Sequence, residues 1–241
     1  MSNFLSGPVV VAAQSLNVTS VDQLHKLGEV IFANDGRAYR YCEVGGTDLI
    51  AGNLQQSQAQ DTDTQDLTAV AAAVDDLAIV STTTVTVTAN EYAEGFALIS
   101  VTPGVGRQYK IKGHIAYTAA APTFNLDNDS IRVALTTISR FDALANPYKG
   151  VIVAPTSRTG PPVGVAVSPL DDADFGWLQV LGVTTVVADG ALVIGEPVIR
   201  SDGVAGAVEP TTTTFTVQGF VGYAQTGVAT TEYGAVNLKL L

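Results

Sequence analysis

Hydrophobic and polar residues alternate along much of this chain, with the period of a β-strand. Residues 82–88 read TTTVTVT, 108–115 read QYKIKGHI and 235–241 read AVNLKLL. Period two gives each segment one apolar and one polar face, as in a half-buried strand. Ala97–Val101, Ile131–Thr137 and Val151–Val153 extend the series, so residues 82–153 read as a β-meander. Nearer the start, Glu29–Phe32 and Ala38–Val44 flank Asn34-Asp35-Gly36. A turn-forming triplet between two short apolar runs predicts a hairpin. Pro8 ahead of Val9-Val10-Val11 predicts an extended N-terminal arm or an edge strand.

Two stretches break the alternation. Residues 55–65 (QQSQAQDTDTQ) are polar and of low complexity, which predicts a linker. In Asp66–Ala78, Leu67, Val70, Val74 and Leu77 recur at helical spacing behind a capping Asp66. This predicts one short helix; the alternative is an alanine-rich strand.

The last third contains an echo. Val163-Gly164-Val165-Ala166 precedes Phe175-Gly176, and Val221-Gly222-Tyr223-Ala224 precedes Tyr233-Gly234, 58 residues later. Each pair leads into an alternating run, so a strand-loop-strand unit is used twice. Turn signals at Asp189-Gly190 and Asp202-Gly203 add to the all-β character. The expected fold is mainly β: a β-barrel or β-sandwich with a meander segment, one short helix and an extended N-terminal arm. The expected segments are an arm and hairpin (1–54), a polar linker and helix (55–80), the meander (81–155) and a barrel-like C-terminal domain (156–241).

Composition narrows the function. Only 15% of the 241 residues are charged, against roughly 25% in typical soluble domains. Valine and 27 threonines help to fill the deficit, and both suit a pleated surface. The net charge of −11 argues against nucleic-acid binding, and the longest apolar runs are too short for a membrane helix. The charge is segregated. Residues 61–106 hold seven acidic groups and no basic one, while 107–158 hold seven basic and three acidic groups. Arg107, Lys110 and Lys112 lie on or beside one predicted strand and are candidate interface residues.

Catalytic motifs are sparse. Cys42 is the sole cysteine and falls within a predicted strand, where a small buried hydrophobe is the expected role. His25 and His114 are the only histidines. Gly104-Val105-Gly106 lacks the third glycine and following helix of a phosphate loop. Asp171-Asp172-Ala173-Asp174 lacks the Gly and Glu of an EF-hand. No enzyme activity, cofactor or metal is expected. Trp177, the only tryptophan, reads as a core anchor or an interface anchor.

Several strings together resemble structural proteins of tailed bacteriophages. They are Leu27-Gly28, Asp35-Gly36-Arg37 with Tyr39-Arg40-Tyr41, Gly45-Gly46, and Ala89-Asn90-Glu91-Tyr92 ahead of Gly104-x-Gly106-x-x-Tyr109. Asn146-Pro147-Tyr148 and Gly160-Pro161-Pro162-Val163-Gly164 continue the set. The tail from Val163 to Leu241 is similar to small capsid-decoration proteins in its glycine and valine pattern. The resemblance implies a cement protein on the capsid exterior that stabilises the shell. Its expected partners are the major capsid protein and its own copies, as a homotrimer. Other virion roles, in the tail or fibre base or as a glycan-binding module, are the alternatives.

Overall fold

The hairpin predicted around Asn34-Asp35-Gly36 is present. Val30–Phe32 pairs antiparallel with Ala38–Glu43, Val30 opposite Arg40 and Phe32 opposite Ala38. Gly36 turns the chain at φ +87°, where a side chain would be strained. The computed structural model describes residues 14–211 and 219–241; the predicted N-terminal arm lies largely outside them. The chain forms two compact units, one from residues up to Ala59 together with Pro147–Leu241, the other from Gln60–Asn146.

The first unit is built on the strand Phe175–Val187. Its first half pairs with Ala38–Glu43 and its second half with Tyr233–Lys239. Across the sheet the strands run Ile152–Val153, Leu54–Gln56, Pro162–Ala166, Phe175–Val187, Tyr233–Lys239, Phe220–Ala224, Pro197–Arg200 and Val208–Pro210. The ends of this order meet. Leu54 N–H donates to Gly206 O at 2.7 Å, and Gly206 N–H donates to Ala154 O at 2.8 Å. The sheet therefore curls into a barrel around Leu54, Val165, Val186, Val198, Val236 and Leu238, all buried. The ribbon of Ala38–Glu43 and Phe175–Gln179 is covered on both sides. Cys42 and Leu178 join one cluster, and Tyr39, Tyr41 and Trp177 join another. Burial on both faces explains why this strand lacks a clean polar alternation.

The second unit is a six-stranded antiparallel sheet ordered Leu67–Thr68, Arg140–Leu144, Phe96–Val101, Gln108–Gly113, Thr123–Leu126 and Ala78–Val80. Its two edge strands also meet. Val70 N–H donates to Val80 O and Thr82 N–H to Thr68 O, both at 2.8 Å. The sheet closes over its own core, which includes Ile79, Ile99, Tyr109, Ile111, Phe124 and Phe141. A separate ribbon pairs Val85–Val87 with Tyr117–Ala120.

Both curled antiparallel sheets agree with the mainly β expectation, and no helix occurs among the described residues. Residues 66–78 are the main departure. Asp66 has φ +54°, unlike a helix cap, and the backbone N–H of Val70 and Ala72 bond to Val80 and Leu135. Leu67 and Ala69 are buried, whereas Val74 and Leu77 are 51% and 63% exposed. Cross-strand pairing thus displaces the helical period. The expected polar linker also contains structure. Gln55 and Gln56 are fully buried in Leu54–Gln56, where Gln56 donates to the Thr159 hydroxyl and accepts from Arg200. The meander is not simple, since Phe96–Val101 lies between Gln108–Gly113 and Arg140–Leu144. Ile131–Thr137 contributes one bridge, at Leu135, rather than a strand. The two units regroup the four segments read from sequence, because Leu54–Gln56 pairs with strands beyond residue 150.

Candidate functional site

The site is built from the outer face of the 60–146 barrel. Along Gln108–Gly113, Tyr109 and Ile111 point into the core, leaving Gln108, Lys110 and Lys112 on the other face. This strand does not present the basic candidates as one patch. The Lys110 ammonium donates to the backbone carbonyl of Glu94 and lies 4.4 Å from the Phe96 ring centroid. Lys110 therefore ties Gln108–Gly113 to the start of the neighbouring strand Phe96–Val101. Arg107 is exposed on the turn that begins at Gly104, and its carbonyl accepts from Ile99 N–H at 2.8 Å. Five residues of strand place it about 16 Å from Lys112. Much of the remaining basic block is engaged within the chain. Arg132 bonds Asp129 and covers the Tyr109 ring, and Lys149 pairs with Glu43 at 2.8 Å.

Lys112 is exposed and lines a hollow of about 690 Å³. Leu77, Asn90, His114, Ile115 and Asn125 share its wall. A neighbouring hollow of about 300 Å³ is lined by Val70, Asp76 and Val80, and shares Leu77 and Asn125 with the first. Together they form a groove whose apolar groups face solvent. Leu77 is 63% and Ile115 69% exposed. Local bonding causes this. After Gly113 the chain turns away from the sheet, since the His114 N–H donates to the Asn90 side chain at 3.1 Å. The strand alternation then stops, and Ile115, in phase with Tyr109 and Ile111, no longer points inward.

His114 is part of the frame of the groove. Its Nε2 accepts the Tyr92 N–H at 3.1 Å, which places the proton on Nδ1, facing the Ile115 carbonyl at 2.8 Å. Both ring nitrogens are engaged and the residue is 5% exposed. The lining of the groove offers the apolar Leu77 and Ile115, the Lys112 cation and the side-chain amides of Asn90 and Asn125.

Trp177 lies in the other unit and is fully buried, with its ring 4.9 Å from Tyr41 and 5.0 Å from His25. Of its two expected roles the structure gives it the core one. Burial pushes the Cys42 thiol up to about 12, so it stays a protonated packing group at neutral pH. Among the described residues no group of three or more His, Cys, Asp or Glu is placed to hold a metal ion. No helix among them is long and apolar enough to cross a membrane. Leu77 and Ile115 were not legible as site residues, because periodicity assigned Leu77 to a helix face and Ile115 to a strand interior. Comparison with family models, curated proteins and solved structures finds no match.

Proposed function

We propose that this protein is a structural component of a tailed-phage virion that decorates the outside of the capsid and stabilises the assembled shell. The observation that supports this reading is the exposed apolar groove around Leu77 and Ile115, on a barrel whose own core is already filled. A surface of this kind gains by being covered, each large aliphatic side chain contributing about 1.5–3 kcal/mol when fully buried. In this reading the cover is the major capsid protein, and the protein acts as a homotrimer matched to the symmetry of the shell. A ligand that binds only the assembled lattice stabilises it by mass action, and many copies add avidity. The function is binding, without catalysis.

The test uses purified shells and a variant carrying Leu77→Glu and Ile115→Glu. Both side chains are exposed, so the variant should melt as the parent does. Its affinity for shells should fall at least about 100-fold, and shells should lose their added heat resistance. Unchanged affinity in a well-folded variant would overturn the assignment of the groove. A particle map with the protein on the tail would replace the capsid reading, and binding on a glycan array would favour a carbohydrate partner.

A further inference from the structure

The 58-residue echo extends much further in space than in sequence. The strand order of the first unit is a palindrome. Ile152–Val153, Leu54–Gln56, Pro162–Ala166 and Phe175–Val187 are mirrored by Val208–Pro210, Pro197–Arg200, Phe220–Ala224 and Tyr233–Lys239. Registers match pair by pair. Val165 faces Gln179 as Tyr223 faces Asn237, and Gln55 faces Val153 as Val198 faces Pro210. The register shift between Pro162 and Gly164 recurs between Phe220 and Gly222.

Bonds outside the strands repeat too. Leu49 and Leu170 exchange backbone bonds, as do Leu192 and Val228. Gly52 N–H donates to Ala166 O at 2.8 Å, and Gly195 N–H donates to Ala224 O at 2.9 Å. The glycines of the echo have a common cause. A methyl on Gly164 would meet the Gln179 carbonyl at 3.0 Å, and one on Gly222 would strike the equivalent Asn237 carbonyl. A methyl on Gly176 would meet Leu170 at 2.6 Å, and one on Gly234 would meet Val228 at 2.9 Å.

Where the copies differ, the difference is an insertion. Between Gln56 and Ile152 the first copy contains the whole 60–146 unit. Between the matching Ile199 and Glu209 the second copy has a short turn with Asp202, Gly203, Val204 and Ala205 exposed. We infer that the barrel is one four-stranded motif used twice, and that residues 60–146 are a recognition module received into the first hairpin of copy one. The corresponding turn of copy two, Ser201–Ala207, is therefore a second acceptor site for a folded insertion. The acceptor site rests on the matched bonds alone. Calling the inserted unit a recognition module rests on the groove reading above.

The test inserts a small, stable domain with adjacent termini between Gly203 and Val204 of the full chain. The barrel should melt cooperatively within about 5 °C of the parent. Gly206, whose bonds close the barrel, is untouched. Loss of cooperative melting would overturn the acceptor site. Gly164→Ala and Gly222→Ala, made separately, test the duplication. Each should lower the barrel midpoint by about 5 °C or more, to a similar extent. A large shift from one and none from the other would overturn the equivalence. Neither experiment involves shells, so failure here is distinguishable from failure of the capsid reading.

Discussion

The Tyr92 phenol is buried in the 60–146 barrel beside the Thr64 hydroxyl, at 2.9 Å, and Thr64 in turn donates to the Ala143 carbonyl at 3.1 Å. Burial pushes this phenol up to about 12, against about 10 in an unfolded chain. The folded state thus favours the neutral form. The stabilisation is complete below pH 10, where both states are protonated. It is lost as pH rises from about 10 toward 12, because the unfolded chain ionises first. Tyr92→Phe should therefore flatten the alkaline decline of the melting midpoint while costing some stability at neutral pH through the lost bond to Thr64. Parallel alkaline declines for parent and variant would contradict the role of burial at this residue. Cys42, His114 and Trp177 are also buried. Both His114 ring nitrogens are engaged by backbone groups, and the Trp177 ring is packed against Tyr41 and His25.

The strand Gln108–Gly113 shows what alternation reports and what it leaves out. Its period correctly placed Tyr109 and Ile111 inward, but three basic residues close in sequence do not make one surface. Lys110 is held against Phe96 and the Glu94 carbonyl, whereas Lys112 faces the groove. Lys110→Glu should therefore destabilise the barrel by about 1–3 kcal/mol, from the loss of a charged bond and a cation–π contact. Lys112→Glu should change stability by less than about 0.5 kcal/mol. Urea melts of the two variants check this, and equal effects would show that the two lysines are equivalent. Other elements were read with similar unevenness. The Asn34-Asp35-Gly36 hairpin and the two Val-Gly-x-Ala strands were legible, because turn chemistry and close backbone contact demand particular residues. Leu54–Gln56 was not, because its buried glutamines look like linker, and the partners of Gln56, Thr159 and Arg200, lie more than 100 residues away. The Asp66–Ala78 stretch misled because alanines fit either period, and strand pairing at Ala69 and Ala72 decided the outcome.

Across the whole molecule, the repeat was half visible. Residues 163–181 and 221–239 keep one offset, so the eye finds them. The turn and strand at 49–56 match 192–199 at a different offset, because residues 60–146 intervene in one copy only. Sequence self-comparison at a single spacing misses that half of the motif.

The same insertion bears on the order in which the barrel assembles. Copy two is local: Pro197–Arg200, Phe220–Ala224 and Tyr233–Lys239 lie within a short span. In copy one, Leu54–Gln56 must wait for partners beyond residue 150, and closing a longer loop has a larger entropic cost. Copy two should form first and offer the edge of Tyr233–Lys239 as a template for Phe175–Val187. Pulse-labelled refolding should then protect the Ala224 and Tyr223 amides before those of Val165 and Gln55, and the reverse order would exclude this route. During synthesis the consequence is starker. Leu54–Gln56 leaves the ribosome first of all the barrel strands in the palindrome, and the half that can fold soonest is made last.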